Sequence, residues 1–309
     1  MQLELAAANL FEMAYAAVCG ADCSMEIRRM TRADIPGGMR LKDLAGWNQT
    51  SADWARFLEG GGEGCFVVEL DGGVRGTAAT IDYQGRFAWV GMVLVDPEYR
   101  GRGIGTKLLE RCIEYLDAMR MPCIKLDATP LGKPIYEKLG FTTEYEMERW
   151  TLKRSCKDLA RNESAGSNEL MPGPLLEHVL KADREVFGAD RSALLRSVHR
   201  EAALFTDGVW NAGGMEGYAF GRCGSFADHL GPWIAKDGET ARRMLEGFLE
   251  RTSRETVVTD SMKARPFMQG LLESCGFEYS RPLTRMFRGR NDFSGRPELV
   301  CSILGPEFG

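Results

Sequence analysis

The sequence has few histidines and lacks the cysteine patterns that hold metals. Only three histidines occur among 309 residues, and none of the nine cysteines forms a C-x-x-C pair. Zinc sites normally use closely spaced cysteine and histidine ligands, so no metal site is expected. An odd number of cysteines without paired spacing is typical of reduced thiols in a cytoplasmic protein.

Long hydrophobic runs and an excess of basic residues are also missing. No apolar stretch reaches the roughly 18 residues that a membrane span requires. The first 24 residues contain no lysine or arginine, so a secretory signal is not expected. A net charge of −5 argues against a nucleic-acid partner. We therefore expect a globular protein located in the cytoplasm, with neither nucleic-acid nor membrane partners.

The chain divides by pattern into four segments. Residues 1–24 form an N-terminal extension ahead of a natural domain start, MEIRRMTRADI. Residues 25–154 follow the order β-α-α-β-β-β-α-β-α-β, which predicts an α/β (α+β) domain with a mixed, largely antiparallel twisted sheet flanked by helices. Residues 155–174 are polar and end in Pro-Gly-Pro, as a linker would. Residues 175–309 repeat much of this pattern, with a last strand at 281–289, and predict a second, degenerate copy of the domain.

The segment VLVDPEYRGRGIGTKLLE, residues 93–110, places glycines and arginines between a strand and an amphipathic helix. A P-loop and a dinucleotide fingerprint would each require a glycine where Thr106 stands. The sequence instead reads R-G-x-G-x-G. Free amides and the helix dipole favour an anion at a helix start, and glycines allow close approach and positive φ. The segment predicts a pyrophosphate site; the alternative is a turn whose glycines serve only geometry.

The glycine segment and PIYEKLGF, residues 134–141, together resemble the two signature segments of the GNAT acyltransferases, and the resemblance covers residues 25–154. It implies acetyl-CoA, or another acyl-CoA, as cofactor and acyl transfer to an amine acceptor. Backbone amides of the glycine segment would bind the pyrophosphate, and the preceding strand would pair with the pantetheine arm where the sheet splays. The implied cofactor-binding residues are Val93, Leu94, Val95, Arg100, Gly101, Arg102, Gly103, Ile104, Gly105, Thr106 and Lys133.

The resemblance also suggests catalytic residues. Tyr136 matches the tyrosine that protonates the leaving CoA thiolate, although it could serve only as a core aromatic residue. The general base stays open, because the strand before the glycine segment has no acid ahead of Asp96. Asp82, Asp127 and Glu144 are candidates. Asp127, on the strand beside the cleft, is the one named here, with a structural hydrogen bond, a base acting through water, or no base as alternatives.

The second half lacks both cofactor features of the first. It contains no R-x-x-G-x-G, and Leu272 stands where the first half has Tyr136. Glu239 lies near the start of the corresponding helix, where it would take the place of a phosphate. We therefore expect this half to shape the acceptor site or a homodimer interface. The aromatic residues that either line such a site or belong to the core are Trp210, Tyr218, Phe220 and Trp233.

The resemblance to the GNAT acyltransferases implies an N-acetyltransferase, expected to move an acetyl group from acetyl-CoA to a primary amine of a small molecule by direct attack on the thioester. A non-catalytic acyl-CoA-binding regulator and an enzyme acting on a protein or peptide amine are the alternatives. The stretch Trp47–Thr50, between the first two helices, is where acceptor contacts are expected. The sequence does not identify the acceptor, because acceptor pockets vary within one fold.

Overall fold

The computed structural model describes residues 25–155 and 170–309, so the predicted extension and most of the predicted linker lie outside the described residues. The strands are β1 (Glu26–Arg29), β2 (Phe66–Leu70), β3 (Gly73–Tyr83), β4 (Phe87–Val95), β5 (Cys123–Ala128), β6 (Thr142–Lys153), β7 (Asp207–Asn211), β8 (Gly214–Cys223), β9 (Asp228–Ala235), β10 (Thr256–Met262), β11 (Glu278–Gly289) and β12 (Val300–Ser302). The helices are α1 (Ile35–Leu44), α2 (Ser51–Gly60), α3 (Ile104–Ala118), α4 (Lys133–Lys138), α5 (Gly173–Phe187), α6 (Ser192–Glu201), α7 (Gly238–Arg251) and α8 (Met268–Ser274).

Within the described residues, one continuous sheet contains all twelve strands, in the order β1-β2-β3-β4-β5-β11-β6-β10-β12-β9-β8-β7. Neighbouring strands are antiparallel except for β4 with β5 and β9 with β10, which are parallel. Helices cover the faces of the sheet. The predicted fold class, a mixed and largely antiparallel sheet flanked by helices, is therefore confirmed.

The two halves exchange a strand at the centre of the sheet. Strand β11 of the second half lies between β5 and β6, where Thr284 pairs with Ala128 and Gly289 pairs with Cys123. Strand β6 of the first half lies between β11 and β10, where Leu152 pairs with Val257. Each half thus supplies one strand to the other: β11 borders β5 of the first half, and β6 borders β10 of the second half. The sequence predicted β11 as the last strand. This prediction was wrong, because β12 follows it.

Two apolar layers cover opposite faces of the first half of the sheet. Helix α3 forms because Leu108, Leu109, Cys112 and Leu116 recur at helical spacing, and all four are buried against the sheet. The opposite face carries Trp89 and is covered by residues from α2, α5, α6 and the segment after β12. The core side chains Trp54, Phe57, Tyr218, Phe220, Leu304 and Phe308 lie on this side. The glycine segment and this second layer therefore lie on opposite faces of one sheet.

The aromatic residues of the second half are core residues, which is one of the two roles that the sequence allowed. Tyr218 and Phe220 are almost fully buried in the layer opposite α3, and Trp210 packs against it. Trp233 is buried in the separate core beneath α7 and α8. Among the described residues, no helix is long and apolar enough to cross a membrane, and no three potential metal-ligating acidic, histidine or cysteine side chains cluster together.

Candidate active site

The glycine segment forms an open turn that leads directly into α3. Gly101 and Gly103 have φ of +77° and +78°, and a Cβ added at either would meet no atom within 4 Å. Gly103 precedes the first residue of α3, and no side chain caps this helix. The first amides of α3 therefore lack intrahelical partners, and the surface in front of them is open. This geometry suits an anion held by backbone N–H groups.

Gly105 has a different role from the one that the sequence suggested. It does not share the positive φ of Gly101 and Gly103, because it already lies inside α3. A Cβ added there would lie 3.4 Å from a methyl group of Val95, so glycine permits close packing of α3 on β4. The residue before Gly105, Ile104, is buried and anchors the first turn of the helix.

The arginines of the segment lie at the surface beside the turn. The Arg102 guanidinium stacks 4.7 Å from the centre of the Tyr99 ring, and the Tyr99 hydroxyl donates a hydrogen bond to Asp71 at 2.5 Å. Arg100 is exposed and donates a long hydrogen bond, 3.4 Å, to the carbonyl oxygen of Val95. Arg102 likewise donates a long hydrogen bond, 3.4 Å, to the carbonyl oxygen of Glu98. Both arginines are exposed at the glycine segment and make only such long side-chain hydrogen bonds within the described residues, so a phosphate bound there can reach them.

A gap opens between β4 and β5 next to this turn. The two parallel strands pair only at Ala88 with Ile124 and at Trp89 with Lys125. Beyond Trp89 they diverge, although β4 continues to Val95 and β5 continues to Ala128. The gap gives an extended arm unpaired strand edges to bind, as the resemblance implied.

A bulge in β4 lies along this gap. The register of β3 with β4 shifts between the pairs Thr77–Leu94 and Ala79–Gly91, so Met92 and Val93 form the bulge. Met92 has φ of +54°, and its carbonyl oxygen accepts a hydrogen bond from Thr77 Oγ1 at 2.8 Å. A non-glycine residue in the left-handed region is strained, and such strain tends to concentrate at functional sites. No pattern in the sequence indicates this bulge, because methionine does not favour positive φ.

Tyr136 lies on the α3 side of the gap. Its half-buried ring packs in the same apolar cluster as Val93, Val95 and Phe141, with its centre 6.1 Å from that of Phe141. Its hydroxyl has no hydrogen-bond partner among the described residues, and burial raises the pKa of Tyr136 to about 12. The structure thus brings Tyr136 together with two of the predicted pantetheine-binding residues. Two other predicted cofactor-binding residues lie elsewhere. Lys133 begins α4, and the Leu94 side chain lies in the layer on the opposite face of the sheet.

Asp127 is held in an ion pair rather than free beside the gap. Both of its carboxylate oxygens accept hydrogen bonds from the Arg285 guanidinium, each at 2.9 Å. The Asp127 side chain has no exposed surface, and Arg285 comes from the exchanged strand β11. Of the alternatives, this geometry favours the structural hydrogen-bonding role over that of a general base.

The other two acids considered as bases are also engaged elsewhere. Asp82 is exposed, and its Oδ1 accepts a hydrogen bond from Gly85 N at 2.7 Å in a turn. Glu144 lies 3.3 Å from Lys125 Nζ and accepts a hydrogen bond from Asn291 at 2.8 Å. Neither contact places a free carboxylate at the open part of the gap.

The second half has lost the corresponding anion site. The side chain of Asp237 accepts a hydrogen bond from Thr240 N at 2.8 Å and caps α7, which corresponds to α3. Asp237 therefore takes the position that the sequence analysis gave to Glu239, which lies in the first turn. A carboxylate of the protein itself satisfies the amides that a phosphate would need.

The gap of the second half is filled. Strand β12 lies between β9 and β10, with Ser302 opposite Trp233 on one side and Ser261 on the other. The register shift in β9 places Pro232 where β4 has Val93, and proline has no N–H to donate. The following residue of the segment, Ile303, lies with its carbonyl oxygen against Gly231.

The stretch expected to contact the acceptor joins the two halves, and a histidine of the second half lies in the core. Asn48, in the stretch expected to contact the acceptor, donates a hydrogen bond to Ala227 O at 2.9 Å and accepts one from Ala227 N at 3.0 Å. This stretch therefore packs on the β8–β9 loop. His229 is buried 3.5 Å from Asp260, and burial lowers the pKa of His229 to about 3, so it is a neutral core residue.

The first half combines a splayed pair of parallel strands with an uncapped helix start, and the second half repeats this arrangement with both features blocked. Together the two halves define a tandem acyltransferase fold. The chain belongs to the GNAT family: residues 61–143 and 179–301 each match a family described as Acetyltransferase (GNAT) domain. It is an enzyme, and its class is that of the acetyltransferases. The predicted tandem arrangement is thereby confirmed.

The chain is similar to several known proteins over most of its length. It is 24% identical to the holothin acyltransferase of a Pseudoalteromonas species over 269 residues, which cover 85% of this chain and 87% of that protein. A putative acetyltransferase of Pyrococcus horikoshii has the same fold, with a TM-score of 0.73, 22% identity and coverage of 92% of this chain and 96% of that one. A tandem GNAT protein from the clavulanic acid biosynthesis pathway has a TM-score of 0.63 and 15% identity, with coverage of 87% and 100%.

Proposed function

We propose that this protein transfers an acetyl group from acetyl-CoA to the primary amine of a small molecule, in the cytoplasm, at a single site in its first half. The observation that carries this proposal is the contrast between the two halves. The first half has open amides before α3 and a gap between β4 and β5. In the second half Asp237 caps the helix and β12 fills the gap.

In this proposal acetyl-CoA extends from the glycine segment into the gap. The amides of Arg102, Gly103, Gly105 and Thr106 bind the pyrophosphate, with help from the two exposed arginines. The pantetheine arm pairs with the backbone of Val93 and Val95, whose side chains already contact the α3 layer. An N–H group of the bulge then donates a hydrogen bond to the thioester oxygen as negative charge develops on it.

The reaction is a direct attack of the amine nitrogen on the thioester carbon. The C–N bond forms, the C–S bond breaks, and the proton lost by nitrogen leaves through water, because the candidate acids are engaged elsewhere. Tyr136 faces the departing sulfur as the general acid. Its raised pKa keeps the hydroxyl protonated at neutral pH, so its proton is available to the departing thiolate, and water then returns a proton to the tyrosine oxygen. We do not assign the base role to Asp127.

The second half contributes structure rather than chemistry in this scheme. Its strand β11 completes the sheet next to β5, and the segment after β12 crosses the face of β4 opposite α3. A Cβ added at Gly91, in β4, would lie only 2.6 Å from the Glu307 carbonyl oxygen. The second half therefore forms a wall on the side from which an acceptor would approach the gap.

Calorimetric titration of the full chain with acetyl-CoA tests the proposal. We expect one site per chain with micromolar affinity, about −8 kcal/mol. Tyr136→Phe should keep this affinity and reduce kcat about 10²-fold or more, as loss of an acid catalyst does. Tyr279→Phe, a change at an exposed tyrosine on β11, should alter neither.

Three results would contradict the scheme. Two sites per chain would mean that the second half also binds acetyl-CoA. Binding without turnover on any amine would instead favour the non-catalytic regulator, and turnover on peptides alone would favour a protein acceptor.

A further inference from the structure

A narrow cavity lies between the two halves, on the face of the sheet opposite α3. Three cationic side chains line it, from β5, from the residue before α6 and from β11: Lys125, Arg191 and Arg285. Its walls include aromatic rings and main-chain segments from both halves, and no carboxylate side chain lines it. Gly309 also lines the cavity, and its main-chain oxygen accepts a hydrogen bond from Arg191 at 2.7 Å. Three cationic side chains at one cavity without a carboxylate side chain in its wall are uncommon between two core layers.

The cavity begins where the proposed acyl gap opens. Trp89 and Lys125, which both line it, are the last residues at which β4 and β5 pair before they diverge. Val93 lies four positions after Trp89 along β4, and the bulge is at Met92 and Val93. At about 3.3 Å per residue, the cavity and the expected thioester position are on the order of 10 Å apart.

The two arginines are fixed by the protein itself. Arg285 is held by Asp127, and Arg191 by both oxygens of Asp183, at 2.9 and 3.0 Å. Each guanidinium also stacks on a ring, Arg285 at 4.4 Å from Trp89 and Arg191 at 3.9 Å from Phe187. These contacts orient the guanidinium groups rigidly at the cavity wall.

Lys125 is the least satisfied of the three cations. Its Nζ lies 3.3 Å from each oxygen of Glu144, which is longer than a good charge-assisted hydrogen bond. The side chain is 5% exposed, and burial lowers the pKa of Lys125. A bound anion would provide the closer partner that favours the charged ammonium.

We propose that this cavity binds a carboxylate of the acceptor, placing a primary amine about 10 Å away at the acyl gap. The inference rests on the proposed function and narrows its substrate class to amines that carry an anionic group. Lys125 makes the hydrogen bond to the carboxylate that contributes most to binding, and the two arginines add to the positive electrostatic potential around it. A carboxylate is favoured because the cavity is narrow and Lys125 has no anionic partner closer than Glu144 at 3.3 Å.

A series of ω-amino carboxylates with two to ten methylene groups tests this inference, each compared with the alkylamine of equal length. We expect kcat/KM to be at least tenfold higher for the carboxylate at the best length, since a buried polar site discriminates strongly against a ligand that leaves it unpaired. The advantage should peak at an intermediate chain length, because only there do both ends reach their sites.

The variant Lys125→Gln should raise KM for the preferred amino carboxylate at least tenfold while leaving the alkylamine KM and acetyl-CoA affinity within twofold. Lys125→Arg should restore part of the preference. Lys263→Gln, at an exposed lysine that pairs with Glu146 at 2.7 Å, is the matched control and should change neither.

The outcomes separate the two proposals. Equal turnover of carboxylates and alkylamines by the wild-type protein would refute the anionic subsite and leave the acetyltransferase proposal standing. A carboxylate preference that survives in Lys125→Gln would also refute it. Absence of acetyl-CoA binding would refute the proposed function itself.

Discussion

Replacing Arg285 by leucine should destabilise the protein strongly, because Arg285 and Asp127 form a buried pair across the exchanged strands. Their side chains are 7% and 0% exposed, and two hydrogen bonds of 2.9 Å join them. Removing one partner of such a pair leaves a buried charge without compensation, at a cost of about 3–5 kcal/mol. Urea unfolding of Arg285→Leu should therefore show a much lower midpoint than the wild-type protein.

The double variant Asp127→Leu, Arg285→Leu should recover most of this loss. An apolar pair of similar volume avoids the desolvation of both charges, so it often matches the ion pair in stability. The coupling energy from the double-mutant cycle should be on the order of 3 kcal/mol in magnitude. Arg290→Leu, at a residue that is 78% exposed and pairs with Asp292 at 3.6 Å, is the control and should change the midpoint little.

The loss in the single variant should depend on pH with a defined sign. Burial already raises the pKa of Asp127, and without Arg285 nothing comparable opposes this effect. The folded-state pKa then exceeds the unfolded value of about 3.9, so stability falls as pH rises through the interval between them. Arg285→Leu should therefore be less destabilised at pH 5 than at pH 8. Equal losses at both pH values, together with additive single variants, would refute the description of this pair as a coupled buried contact.

Three further predictions concern the acyl site and its blocked counterpart in the second half. Gly103→Ala and Gly85→Ala both place a side chain at positive φ without a clash, so each should lower the free energy of unfolding by about 1 kcal/mol. Only Gly103→Ala should also weaken acetyl-CoA binding, which calorimetry measures. Because the pKa of Tyr136 is raised to about 12, the rate at saturating substrates should show no falling limb between pH 7 and 10; a fall there that disappears in Tyr136→Phe would contradict this. Asp237→Ala removes the cap of α7 and should cost about 1 kcal/mol in urea unfolding, without adding a second acetyl-CoA site, because β12 still fills the gap.

Features encoded locally were predictable from the sequence, and features that depend on distant partners were not. The glycine turn and α3 follow from residues within one strand-to-helix segment, where spacing and φ preference act directly. The role of Asp127 depends on Arg285, 158 residues away, and no local pattern indicates that pairing. Strand β12 has only three residues, too short for a periodic pattern, and its place between β9 and β10 is set by tertiary packing.

The bulge at Met92 and the strand exchange were missed for related reasons. Met92 adopts positive φ because the β3–β4 register shifts there, not because methionine favours it. Strands β6 and β11 have equivalent places in the two halves, so their sequences predict strands but not which neighbouring strands each one pairs with. Register and pairing between such similar strands are decided by side-chain packing over long sequence separations.

The exchange of β6 and β11 also governs the order in which the protein can be assembled. Strand β5 borders the acyl gap on one side and pairs with β11 on the other. It can form this pairing only when residues 278–289 have been synthesised. The ribosome must therefore make most of the chain before the sheet around the gap can close. Pairing over such distances makes folding slow relative to local structure. Synthesis of the second half, which carries no acyl site of its own in our proposal, thus sets the earliest moment at which the first half can become active.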